Sequence, residues 1–251
     1  MAEYAILREE IANLAPVGAR RVIFFTLTDL LAQELSDMLG IAAHVAPIPL
    51  EYGDADMHRV PAAPRARPCV AVLGGLRCEK GSYLLPGIVR ACRERVDVEF
   101  LLQLFNNSLA PAEVAEVETI AAQPHVRVLR EALSLEAYNA ALLDADIGLF
   151  PYEVIPYFKR NSGVFAEAVA YGKPVIATRG TWMAQQIDAG RAAGVIFDEL
   201  DADSIAAAIA RCVANLPALR AAAARLAPAW RSGGGIAGFM DALERQITAR
   251  G

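Results

Sequence analysis

The chain has 251 residues, of which 55% are hydrophobic and 21% charged, and its formal net charge is -5. That is enough apolar material for a sizeable core and excludes a disordered polymer. The acidic balance, with a pI near 5.3, excludes a nucleic-acid binder that relies on a broad basic surface. Mean hydropathy is +0.31, yet no apolar run reaches the roughly 18–20 residues of a membrane span.

Residues 3–14 show helical apolar spacing. Arg21–Thr26 is a short β-branched and aromatic run that reads as a buried strand. Thr28 is placed to cap the following helix and Gly40 to end it. His44–Pro49 reads as a strand closed by prolines. Residues 51–67 break this rhythm: acidic residues, Gly53, Pro61 and Pro64 suit neither helix nor strand, and the segment reads as an interdomain linker. From Cys69 the alternation resumes. Strands are expected at 69–73, 98–104, 126–130, 146–150, 174–177 and 194–197. Helices are expected near 81–95, 111–122, 134–143, 163–171 and 181–189, then near 202–214, 216–230 and 236–249. The strands are continuous apolar runs, as in a parallel sheet buried on both sides. The expected fold is therefore α/β: a Rossmann-like parallel sheet with helices on both faces over 68–251, preceded by a partial N-terminal α/β segment over 1–50.

Cys69, Cys78, Cys92 and Cys212 form no C-x-x-C pair, which argues against zinc or thioredoxin-like chemistry. Four reduced thiols suit a cytosolic protein, and the first residues lack the basic-then-apolar pattern of a signal peptide. The expected location is the cytoplasm, with peripheral attachment at the inner membrane face left open.

Two turns carry the chemistry. Strand 69–73 runs into Gly74-Gly75-Leu76-Arg77-Cys78-Glu79-Lys80-Gly81. This is neither the dinucleotide G-x-G-x-x-G nor a P-loop. It is a glycine-rich turn in which backbone N–H groups can approach an anion, with Arg77 and Lys80 supplying positive charge. The second turn follows strand 146–150 and reads Lys159-Arg160-Asn161-Ser162-Gly163-Val164-Phe165-Ala166-Glu167. Ser162 can cap a helix, Gly163 opens the backbone, and Lys159 and Arg160 precede the helix N-terminus, so the same physics builds a second anion site. Both turns leave strands of one parallel sheet at the edge where such sheets bind ligands. Together they suit a diphosphate. Glu167, one helical turn further on, is placed to accept hydrogen bonds from a ribose diol. Trp182 reads either as cleft lining or as packing.

Asp54-Ala55-Asp56, Asp144-Ala145-Asp146 and Asp201-Ala202-Asp203 each match a D-x-D pattern. All three read as structural, the last as a helix cap. His44, His58 and His125 have no metal-ligand spacing.

These residues resemble the C-terminal half of a GT-B glycosyltransferase of the retaining family 4 type. The likeness rests on the Gly74–Gly81 turn, on Tyr138 through Ile147, and on Ser162–Ile176, and it covers roughly 66–231. The resemblance implies a metal-independent domain that holds a nucleoside-diphosphate sugar as donor substrate, with no cofactor. It implies that Arg77 and Lys80 hold the diphosphate and act catalytically on it, with the Ser162, Gly163 and Val164 amides binding it; Gly74, Gly75 and Arg160 are read as further binding residues of the two turns. It gives Glu167 the ribose, and Leu133 and Ser134 the base. Where the family often has a first glutamate eight positions before the second, this chain has Lys159, a departure from the sugar-handling pattern for which Glu153 and Arg160 are the candidate substitutes.

The implied function is transfer of a sugar, with retention, to an unidentified acceptor. The alternative is a non-catalytic nucleotide-sugar-binding module that docks on a separate acceptor-binding domain. Residues 1–50 resemble only the last βαβ portion of an N-terminal domain. Their apolar surface is expected to be covered by a second copy of the chain or by a separate N-terminal partner. The stripe Phe239, Leu243 and Ile247 on the final helix reads as docking face or as core.

Overall fold

A parallel pair of strands needs a crossover between them, and the N-terminal stretch supplies one with a helix. The computed structural model describes residues 22–50, 66–105 and 110–249, together with Glu9 and Asn13. Strand β1 (Phe24–Thr26) pairs in parallel with β2 (Ala43–Val45), in register from Phe24 opposite Ala43 to Thr26 opposite Val45. Helix α1 (Asp29–Leu39) connects them. Thr28 caps it, its hydroxyl accepting from the Leu31 amide at 3.3 Å. Gly40 ends it with φ 66°, a left-handed conformation that glycine adopts at little cost.

The larger unit begins with β3 (Cys69–Val72) and two 3₁₀ turns, Cys78–Lys80 and Ser82–Leu84, before α2 (Leu85–Arg93). Then follow β4 (Glu99–Gln103), α3 (Pro111–Ala121), β5 (Val126–Leu129) and α4 (Leu135–Asp144). After β6 (Ile147–Phe150) come the short α5 (Val154–Tyr157) and α6 (Gly163–Ala170). The unit closes with β7 (Val175–Thr178), α7 (Trp182–Asp188), β8 (Gly194–Phe197), α8 (Ala202–Ala214) and α9 (Leu216–Gly233). All six strands are parallel, in the spatial order β5-β4-β3-β6-β7-β8. The chain builds outward from β3 to β5, then returns to lay β6 against β3. Connections leaving β3 and β6 therefore diverge, and a crevice opens outside their carboxyl ends.

Alternation along these strands divides the core. Val70, Val72, Phe100 and Leu102 face one side and pack with Ile88 of α2 and Ile205 and Ile209 of α8. Cys69, Ala71, Leu101 and Phe150 face the other, against Leu142 of α4, Phe165 of α6 and Met183 of α7. Burial on both faces explains why the strands read as unbroken apolar runs. The buried Cys92 and Cys212 thiols are pushed up to about 12 by desolvation and behave as core hydrophobes.

The six strands of the larger unit fall within a residue or two of expectation, whereas the strand expected over Arg21–Thr26 spans only Phe24–Thr26 and the one expected over His44–Pro49 ends at Val45, before the prolines. The expected helix at 81–95 does not start where the spacing predicts. Gly81, at φ 69°, separates the two 3₁₀ turns, and the α-helix begins only at Leu85. The first glycine turn thus leads into tight turns rather than straight into an α-helix N-terminus. The short α5, read as irregular from sequence, adds one turn. The helix expected at 3–14 and the linker expected at 51–67 fall mostly on residues outside those described. The chain divides into two compact units, 1–49 with 233–251 and 50–232. The last helix, α10 (Ile236–Thr248), thus groups with the N-terminal residues and not with the body of the expected 68–251 domain. Among the described residues no single helix is long and apolar enough to cross a membrane.

Two of the D-x-D pairs are fully accounted for by the fold. Asp146 accepts from the Cys69 amide at 2.8 Å and pairs with Arg220, while Asp144 pairs with Arg127. Asp201 caps α8 through the Ser204 amide at 2.8 Å, and Asp203 pairs with Arg95. Asp54 and Asp56 lie outside the described residues. Asp146→Ala is expected to lower stability by about 2 kcal/mol, because it strips an amide and a guanidinium of their acceptor. It should leave ligand binding by the folded chain unchanged; denaturant unfolding and titration check both.

Candidate functional site

The turn after β3 is shaped from below by Gln103 at the end of β4. Its side-chain oxygen accepts from the Gly74 amide at 2.8 Å, and Leu76 donates to the Phe105 carbonyl at 3.1 Å. Gly74 has φ 93°, and a Cβ there would stand 3.0 Å from Lys80 Nζ. The missing side chain is the space that the lysine uses. The turn then closes on itself through the Arg77 amide, which donates to Ser82 Oγ at 3.0 Å. Lys80 lies over the Tyr152 ring, 5.5 Å from its centroid.

The β3 and β6 loops are laced together. The Glu153 amide donates to the Glu79 carbonyl at 2.9 Å. Gly81 lies directly against Pro151: a Cβ would be 2.1 Å from the Pro151 carbonyl oxygen. Backbone meets backbone here, so nothing flexible can yield.

From the other side comes α6. Ser162 is buried and caps it, accepting from the Phe165 amide at 3.3 Å. The first amides of a helix have no acceptor within it, so those of Gly163 and Val164 are offered to the crevice. A third wall comes from the start of α4, where Ser134 accepts from the Ala137 amide at 3.3 Å.

These walls border an open cavity of about 470 Å³. Arg77 and Lys80 line it from β3, Ser162, Gly163, Val164 and Glu167 from α6, and Leu133 from the approach to α4. Four other expected residues do not line it. Gly74 stands behind Lys80, and Gly75 is half-buried in the same turn. Ser134 spends its hydroxyl on the cap. Arg160 lies over the Tyr157 ring at 5.1 Å and acts on the cavity only through its charge.

Sequence reasoning missed Leu135, Tyr138, Tyr157 and Asn161, which also line the cavity. Tyr138 had a legible signal: it is a polar-tipped aromatic on the first turn of a helix whose cap, Ser134, was identifiable. Tyr157 had none, because α5 follows no apolar period. Trp182 resolves to packing, its ring 5.7 Å from Phe165 and 6.2 Å from Trp230.

The electrostatics pull in two directions. Burial pushes the Lys80 ammonium below its ordinary range; the Arg77 and Arg160 charges add to this, and Glu79 opposes it. Two neighbouring cations and a desolvated lysine make a site that an anion would relieve. Glu167 is moved the opposite way. Burial raises its carboxyl above the usual range, against a hydrogen bond from Tyr138 Oη to Oε2 at 2.6 Å. The arrangement brings cations, helix amides and a carboxylate to the lining of one cavity. Among the described residues no cluster of three or more His, Cys, Asp or Glu side chains is placed to hold a metal ion.

Gly81→Ala sets a left-handed residue against a carbonyl, and about 2 kcal/mol of strain is the least expected. The β3 and β6 loops must then part. Thermal unfolding should show the loss of stability, and titration with a nucleoside diphosphate should show a loss of affinity beyond the unfolded fraction.

Residues 67–215 match the family Glycosyl transferases group 1. A comparison with curated proteins finds no match. Among solved structures, the chain is similar to a glycosyltransferase from Rickettsia africae, with TM-score 0.72, 14% identity, and 91% of this chain and 63% of that one covered. It is similar to sucrose-phosphate synthase from Thermosynechococcus elongatus, with TM-score 0.65, 20% identity, and coverage of 90% and 58%. It is also similar to Anabaena HepE in complex with UDP and glucose, with TM-score 0.67, 13% identity, and coverage of 90% and 62%. The chain thus spans 58–63% of the length of these proteins. At such identities the likeness is one of fold, the parallel sheet with flanking helices of GT-B glycosyltransferases. With more than half of its length matched by the family and this fold around the crevice, the chain belongs to the group 1 glycosyl transferases and carries a domain of the GT-B C-terminal type.

Proposed function

We propose that the cavity holds the nucleoside-diphosphate end of a nucleotide-sugar, and that the chain is the donor side of a retaining glycosyltransferase. The observation that carries this reading is the convergence of Lys80, Arg77 and the α6 amides opposite Glu167 in one cavity. The diphosphate lies against the cations and the Gly163 and Val164 amides. The ribose hydroxyls donate to the Glu167 carboxylate, and Leu133 and Leu135 offer apolar surface to the base. Transfer breaks the bond between the sugar's anomeric carbon and the diphosphate oxygen and forms a bond to an acceptor hydroxyl oxygen on the same face, the hydroxyl proton passing to the departing diphosphate. The negative charge left on the diphosphate builds against Lys80 and Arg77, where desolvation strengthens the attraction. The cytoplasm suits this donor, since nucleotide-sugars are made there. Anabaena HepE, with UDP and glucose in its complex, supports a donor of this class.

Isothermal titration with UDP, GDP and ADP tests the reading and identifies the base. Lys80→Ala should weaken binding of the preferred diphosphate about tenfold to a hundredfold, the range for a desolvated charge-assisted contact. Unchanged binding overturns the assignment. Retention is checked by the anomeric configuration of the transferred sugar.

Glu167 gives a prediction with two signs. Its raised carboxyl is charged only above the ordinary carboxylate range, so diphosphate affinity is expected to fall earlier on acidification than an ordinary carboxylate would allow. The same shift means that the folded chain takes up this proton more readily than the unfolded chain. Its contribution to stability therefore improves as pH falls through the raised value. Glu167→Gln should raise the Tm of the ligand-free chain at neutral pH while weakening the diphosphate. A lowered Tm would show that burial is not the dominant force on this group.

A further inference from the structure

Tyr138 and Glu167 come from different walls of the cavity, α4 and α6, and meet in one short hydrogen bond of 2.6 Å. Resting on the nucleotide-sugar reading above, we propose that Tyr138 is a positioning residue that fixes the Glu167 carboxylate for a vicinal diol and thereby makes the site select ribonucleotides over deoxyribonucleotides.

The argument starts from what a half-buried carboxylate does when left alone. It rotates about its last torsion, which is broad, and in a desolvated cavity it tends to take up a proton. A protonated carboxyl donates where it should accept, and a ribose offers two O–H donors. Tyr138 opposes both tendencies. Its phenol is held far above its ordinary range, first by burial and then by Glu167 itself, so it stays protonated and can only donate to the carboxylate. A donor fixed on Oε2 holds the torsion and stabilises the charged form. The direction of the array is then set: Tyr138 donates to Glu167, which lines the cavity and keeps further lone pairs as acceptors.

The tyrosine is itself well held. Its amide donates to the Ser134 carbonyl at 2.9 Å in the first turn of α4, which Ser134 caps. Its ring packs against the core layer that contains Phe165 and Val169 of α6. The same contact thus ties the helix that opens beside the base to the helix that offers its amides to the phosphates.

Tyr138→Phe tests this, because it removes the hydroxyl and keeps the ring that packs. UDP, GDP and ADP are titrated alongside their 2′-deoxy forms, into the wild-type chain, Y138F, E167Q and the double variant. The wild-type chain should prefer the ribonucleotide. Y138F should lower ribonucleotide affinity about tenfold, as for one charge-assisted hydrogen bond, and leave the deoxy affinity within about twofold. The double variant should be no weaker than E167Q. A preference untouched by Y138F, or an equal loss of both forms, overturns the proposal. A wild-type chain that binds diphosphates without preferring ribose overturns it too, while the donor-site reading stands. A wild-type chain that binds none of them removes that reading, and this proposal with it. A second readout needs no ligand: the Glu167 carboxyl carbon, followed by NMR against pH, should titrate higher in Y138F than in the wild type. An unmoved titration shows that the hydroxyl does not hold the carboxylate and counts against the proposal.

Discussion

The Lys80 side of the cavity depends on one backbone contact that only glycine permits. Gly81 lies against the Pro151 carbonyl, and through it the loop that leaves β3 is seated on the loop that leaves β6. The topology makes this contact possible. Because β3 and β6 are neighbours separated by more than seventy residues of sequence, two loops that are distant in the chain begin side by side. The contact then determines where Lys80 stands, over Tyr152 and beside the empty space at Gly74. A single turn geometry therefore converts a sheet edge, which many folds offer, into a place where a cation and a helix N-terminus face one volume.

The alternation of strands and helices along the chain and the parallel sheet covered on both faces were legible in the sequence, and so were the two anion-seeking turns. Continuous apolar runs such as Cys69–Val72 and Ile147–Phe150 leave little choice but a parallel sheet covered twice. Ser162 and Ser134 announce helix starts by chemistry that is purely local. The failures are equally specific. The helix expected from residue 81 is displaced to Leu85 because Gly81 is recruited by Pro151, a partner seventy residues away that no local spacing reveals. Tyr138 was legible as a polar-tipped aromatic on the first turn of a capped helix, but its partner Glu167 is met only once α4 and α6 lie side by side. Arg160 reads as a phosphate ligand from its position before Ser162, yet its guanidinium stacks on Tyr157, a residue of a helix too short to carry a period. Local chemistry is readable where a residue acts on its own neighbours and fails where the partner arrives from another element.

The two desolvated groups of the site explain each other. Lys80 is held below its ordinary range and Glu167 above its own, so each is burdened in the charged state that its role requires. Both burdens fall on the folded chain and lower its stability, in keeping with the strain often stored at functional sites. They do not offset one another directly, because the Arg77 and Arg160 charges bear on Lys80 while Glu167 is met by Tyr138. On the proposed reading, a ligand that carries both negative charge and hydroxyl donors relieves both at once. An inorganic anion relieves only the first, and a neutral nucleoside only the second. The cavity therefore favours a bipolar ligand by more than the sum of its separate hydrogen bonds with water suggests, because binding also returns the free energy with which the empty site was held unsatisfied.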